Sequence, residues 1–133
     1  MTRISVVSKM WMFLIYLVML AFLSLNPWVM PDPHQAVGIV TWDKIEHGVA
    51  YCLLSILLML IYKFPKSSVV YSCVVLLTSS LLGILLEYCQ NWFTLNRQFS
   101  YQDAVANVFG AFLGVALYWC YNWVVVKRLQ YPV

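Results

Sequence analysis

The chain has 133 residues, 63% of them hydrophobic, 17% aromatic and only 10% charged, with a net charge of +3 and a mean hydropathy of +0.80. Soluble domains carry roughly 25% charged residues, so this composition excludes an ordinary soluble enzyme and predicts one membrane domain over residues 1–133, with no separate soluble module. The basic residues stand singly or in pairs beside apolar runs, which excludes a phosphate-binding stripe and, with it, a nucleic-acid partner.

Crossing about 30 Å of hydrocarbon takes roughly 20 mostly apolar residues. Four stretches meet that need and predict an all-α, polytopic four-helix bundle. The first spans about 10–28 and stops at Asn26-Pro27, ahead of Pro31-Asp32-Pro33; proline lacks the N–H that a helix needs. Its apolar part is long for a signal peptide and no small-x-small site follows Leu25, so it reads as a retained anchor. The second spans about 44–62, before Lys63-Phe64-Pro65-Lys66. The third spans about 68–92. The fourth spans about 103–126, before Lys127-Arg128. Cys52, Cys73, Cys89 and Cys120 each lie inside an apolar run, with no CxxC pair, and read as packing residues rather than disulfide partners.

Charge sets the expected orientation. Arg3, Lys9, Lys63, Lys66, Lys127 and Arg128 flank one set of span ends, and only Lys44 and Arg97 flank the other. The positive-inside rule therefore predicts that both termini are cytoplasmic. All five acids (Asp32, Asp43, Glu46, Glu87, Asp103) and both histidines (His34, His47) then fall at the outer side.

On the second span, Asp43, His47 and Tyr51 recur every four residues and share one face, with Lys44 beside them and Ser55 extending the line. Asp43 and Glu46 also have capping-box spacing, which satisfies free N–H groups at a helix start. On the third span, Ser79 or Ser80, Gly83, Glu87 and Gln90 follow three- and four-residue spacings. A mid-membrane carboxylate costs on the order of 2.5–3.5 kcal/mol, so Glu87 calls for a partner; Arg97, Lys44 and His47 are the candidates. The fourth span opens on Ser100 and Asp103, again with capping-box spacing. Asn107 follows on the same face, and Gly110-x-x-x-Gly114 permits a close helix crossing. The expectation is one network of Asp43, Lys44, His47, Glu87, Gln90, Arg97, Asp103 and Asn107 at the outer mouth of the bundle. Gly83, Gly110 and Gly114 would serve packing.

The ordered set Asp43-Lys44-x-x-His47-x-x-x-Tyr51, Gly83-x-x-x-Glu87-x-x-Gln90, Arg97 and Asp103-x-x-x-Asn107-x-x-Gly110-x-x-x-Gly114 resembles the VanZ-like family of small bacterial membrane proteins. The resemblance covers about residues 42–118. It departs from the family where Thr94-Leu95-Asn96 precedes the arginine in place of a Pro or Gly. The family is named for a protein that lowers susceptibility to teicoplanin, a glycopeptide antibiotic with a lipid tail. The resemblance implies a multi-pass protein of the bacterial cytoplasmic membrane with a role at the cell envelope.

Two functions fit these residues. In one, the polar mouth binds or modifies a membrane lipid or lipid-linked envelope precursor. His47, Glu87 and Asp103 are then the catalytic candidates, with the histidine moving a proton and an acid acting as base. Asp43, Lys44, Tyr51, Gln90, Arg97 and Asn107 contact the substrate. In the other, the network is non-catalytic and locks the bundle or recognises a partner. A metal held by His47, Glu87 and Asp103 is disfavoured by the single suitable histidine and by nearby Lys44 and Arg97. No cofactor signature is present: the chain lacks GxSxG, a P-loop and GxGxxG. Transport is disfavoured because the polar residues reach only partway in and no inverted repeat is evident. Nothing in the residues fixes an oligomeric state.

Overall fold

The computed structural model describes residues 5–25, 36–37, 40–61, 68–93 and 99–130. They form helices α1 (Val6–Leu25), α2 (Trp42–Ile61), α3 (Ser68–Phe93) and α4 (Tyr101–Gln130). All four are long and apolar enough to cross a membrane, the build of a multi-pass membrane protein. Just before α2, β1 (Ala36–Val37) pairs antiparallel with β2 (Val40–Thr41), Ala36 opposite Thr41 and Val37 opposite Val40. The all-helical expectation omits this small ladder. Its signal is present in Val37, Val40 and Thr41, β-branched residues around Gly38.

Local chemistry sets the helix ends. Ser5 starts α1 four residues earlier than expected: its hydroxyl accepts from the Ser8 backbone N–H at 3.1 Å, an N-cap contact. Ser100 does the same for α4, accepting from the Asp103 backbone N–H at 3.2 Å. Half of the expected capping box is therefore formed by the serine. The carboxylate of Asp103 is directed elsewhere, as described below. At its other end α4 continues through Lys127-Arg128 to Gln130. No helix breaker occurs there before Pro132.

Helix α2 is the centre of the bundle and packs most extensively on α4, then on α3 and α1. Glycine makes the α2–α4 seam close. A Cβ placed on Gly110 would collide with the Gly48 carbonyl group and come within 2.9 Å of the Gly48 Cα. One turn further along, a Cβ on Gly114 would strike the Cys52 carbonyl and lie 3.0 Å from the Ser55 Cβ. Gly83 of α3 is likewise required by space, because its Cβ would fall 2.9 Å from the Asn107 Cβ and 3.1 Å from the Tyr51 ring. Tyr51, Leu54 and Leu20 form the buried apolar cluster, supported by Phe13, Leu17, Leu82 and Leu86.

Helix α1 is attached differently. The Tyr16 hydroxyl donates to the Ala50 carbonyl at 2.6 Å, and Lys9 Nζ donates to the Leu60 carbonyl at 2.9 Å. The second contact satisfies one of the carbonyls that a helix leaves open at its C-terminal end. Outward-facing positions such as Leu81, Leu85, Phe109 and Phe112 are apolar and exposed, as a hydrocarbon surrounding requires. All four cysteines are free thiols.

Candidate functional site

The end of the bundle where α1 and α3 finish and α2 and α4 begin carries a two-tiered polar cluster. Asp43 and Asp103 lie in the first turns of α2 and α4. His47, Glu87 and Asn107 all lie roughly 8–9 Å from that end of their helices, at 1.5 Å of rise per residue. Three helices therefore deliver an imidazole, a carboxylate and an amide to one depth. Their side chains meet there because Gly48 and Gly110 let α2 and α4 touch, and Gly83 lets α3 close on Asn107.

The first tier is an ion pair across the α2–α4 seam, with Lys44 Nζ 3.6 Å from Asp103 Oδ1. The second tier centres on His47. Its Nδ1 is 3.0 Å from Asn107 Oδ1 and 3.6 Å from Glu87 Oε1. The Asn107 amide oxygen accepts from Nδ1 in the tautomer that carries its proton there. Its Nε2 faces Asp43 Oδ1 at 3.7 Å, joining the two tiers. Glu87 is 2% exposed and Asn107 1%. Among the described residues, the buried Asn107 Nδ2 has no hydrogen-bond partner.

Beneath this cluster Tyr51 is buried against Gly83. Lower still, Ser55 Oγ donates to Ser79 Oγ at 3.0 Å between fully buried side chains. The four-residue spacing Asp43–His47–Tyr51–Ser55 thus forms one continuous inward line. Of the two serines that the spacing offers on α3, Ser79 is the one that faces it.

Gln90 is buried, and its Nε2 donates to the Ser24 carbonyl of α1 at 2.9 Å. A backbone carbonyl has no sequence signature, which is why this tie to α1 is invisible in the residues alone. Gly48 is a second omission. It stands four residues before Cys52, with Gly48 opposite Gly110 and Cys52 opposite Gly114, so a small-x-x-x-small pattern on α2 was available to find it. Arg97, Asp32 and His34 lie outside the described residues.

A cleft of about 510 Å³ opens between α1 and α2 beside the cluster. Asp43, Glu46, His47, Tyr51 and Gln90 contribute its polar lining, and side chains such as Met19, Leu20, Leu23 and Leu53 its apolar walls. Glu87, Asp103, Lys44 and Asn107 do not line it; they stand behind His47 and Asp43. In that tautomer Nε2 is the accepting nitrogen; it faces Asp43, and both residues line the cleft.

Donor atoms of Asp43, His47 and Asp103 also lie within 4.8 Å of one another, a set that differs from the His47, Glu87, Asp103 trio weighed from the sequence. The Lys44 ammonium already places positive charge on Asp103, so the acids are offset by the chain's own cation. Compared with family models, curated proteins and solved structures, the chain matches none.

Proposed function

We propose that this is a VanZ-like membrane protein of the bacterial cell envelope, with both termini in the cytoplasm and the polar end of the bundle at the external headgroup layer. There it binds or modifies a lipid-linked envelope component and so affects susceptibility to lipoglycopeptides of the teicoplanin type. The observation that carries the reading is the convergence of His47, Glu87 and Asn107, from three different helices, at one depth beside an open cleft. Ionisable groups inside a membrane domain are costly, and their assembly at one point is a functional signature. In this reading His47 faces the ligand and handles the proton. Glu87 and Asn107 hold the ring and set its tautomer, and Asp103 acts through its pairing with Lys44. Asp43, Tyr51 and Gln90 meet the ligand.

Replacing Glu87 with Gln tests this proposal. It preserves shape and removes the charge. The expected result is a folded, inserted protein whose cells lose the change in susceptibility and in lipid-linked precursor profile that the parent produces. An unchanged phenotype removes Glu87 from the mechanism. Orientation is tested by fused reporters: one at the C-terminus should read cytoplasmic and one near Pro33 external.

One observation favours a second, non-catalytic reading. Glu87, Asn107 and Asp103 are almost wholly buried, the position of groups that lock helices together. In that case Glu87→Gln lowers the melting temperature and leaves the phenotype in proportion to the folded protein that remains.

A further inference from the structure

We propose that the outer end of α1 is a lateral gate, hinged at Tyr16 and latched by Gln90, through which a membrane-dissolved amphiphile reaches His47 from within the lipid. The inference rests on the reading above for the class of ligand, and it adds the route of entry and what controls it.

Three features point to a gate. The first is where packing stops. The α1 residues in and around the buried apolar cluster are Phe13, Tyr16, Leu17 and Leu20, so the helix is seated on the core as far as Leu20. Past that point Phe22 and Leu23 are exposed, and Leu23 and Ser24 line the cleft.

The second is where the hydrogen bonds fall. The α1 wall of the cleft is one helical stripe, Tyr16, Met19, Leu20, Leu23 and Ser24, and it is tied at both ends. The Tyr16 hydroxyl donates to the Ala50 carbonyl at 2.6 Å. About 12 Å further along, at 1.5 Å per residue, the Ser24 carbonyl accepts from Gln90 Nε2 at 2.9 Å. Core packing reinforces the lower tie. The upper tie holds a helix end. Ser24 is among the last four residues of α1, whose carbonyls have no partner inside the helix, so this bond can break without unwinding a turn.

The third is cost. Lipid tails are as apolar as the leucines of the wall, so swinging the end of α1 outward forfeits no hydrophobic drive. The loss falls on the Gln90 bond. Gln90 is buried and lines the cleft, where an oxygen acceptor on the head of an entering amphiphile can replace the Ser24 carbonyl. Opening and binding then favour each other.

The experiment uses the full chain in nanodiscs of choline-headed phospholipid, with carbon-13 methionine methyls read by NMR. Leu23→Met places a methyl on the gate. Met12 lies below the hinge, and Met59 lies in the core at 1% exposure. The expected result is exchange between two environments at the Leu23→Met methyl and at neither of the others. Gln90→Leu should raise the minor population about threefold, the weight of one hydrogen bond between helices in lipid. Ile45→Met sets another methyl on the facing α2 wall. A phospholipid with a nitroxide high on its chain should broaden that methyl more in Gln90→Leu than in the parent, and a water-soluble gadolinium chelate should not.

A single environment at the Leu23→Met methyl in otherwise unaltered protein overturns the proposal. So does an unchanged methyl in Gln90→Leu when Met59 keeps its parent shift, because the amide is then no latch. Matching changes at Met12 remove the hinge, since the helix would move as a whole. Broadening gained from the chelate alone makes the entry aqueous and overturns the lateral route. The outcome is separable from that of the proposed function. Gate motion in Glu87→Gln together with an unchanged phenotype sinks the function and supports the gate. A lost phenotype with a rigid α1 overturns the gate and leaves the function standing.

Discussion

Two of the seams of helix α2, toward α4 and toward α1, are built on opposite principles. Toward α4 it meets glycine: Gly48 against Gly110 and Cys52 against Gly114, with backbones so close that no side chain fits between them. Toward α1 it meets bulky side chains and one hydroxyl-to-carbonyl contact, Tyr16 to Ala50, and a cleft remains. Close backbone approach is the main source of helix affinity in lipid, where water offers no hydrophobic drive. The α2–α4 seam therefore fixes the positions of His47 and Asn107, while the α1 seam leaves open space beside them. Rigidity and access are assigned to different faces of one helix.

Five substitutions test that contrast, from the largest expected effect to the smallest. Gly110→Val drives a branched side chain into the Gly48 carbonyl group, where only backbone could yield. Size-exclusion chromatography in detergent should find no monodisperse protein. Val49→Phe, an enlargement of similar size on the cleft side, should elute as the parent does. If both variants fold alike, the two seams do not differ as described. Glu87→Ala leaves His47 without its α3 acid. Thermal melts should then report a loss of about 3–5 kcal/mol, the scale for breaking a buried pair. Asp103→Asn cuts only the contact to partly exposed Lys44. It should cost at most about 1 kcal/mol, and a larger loss would give the first tier more weight than the second. Tyr16→Phe removes one hydrogen bond from the loose seam. The expected change is about 0.6 kcal/mol, with helix α2–α4 contact, followed by a cross-link between the two, unaltered.

Much of this was legible in the residues because lipid penalises strays. An acid such as Glu87, deep in an apolar run, must find company, and the four-residue spacing of His47 and Asn107 put that company on inward faces. The four spans followed from length alone. The cap of α4 at Ser100 was legible, but the start of α1 was less so: Ser5 acts through a single hydroxyl, and apolar runs blur where a helix starts. Gln90 was expected among the polar groups, but its partner is the backbone of Ser24, which any residue at that position could supply. The cleft was illegible for a related reason. A gap between α1 and α2 is set by how Met19, Leu20 and Leu23 fail to fill space, and failure to fill has no periodicity.

The Ser55–Ser79 pair has a consequence for how the two ends of the bundle communicate. It is the floor of the inward line from Asp43; past it come Met59 and Val75, 1% and 3% exposed, and then a separate polar contact in which the Tyr71 hydroxyl donates to the Leu58 carbonyl. A buried apolar layer therefore divides the titratable cluster from the hydroxyl contact beyond it, and a charge change at His47 has no polar side chain among the described residues of that layer through which to be felt.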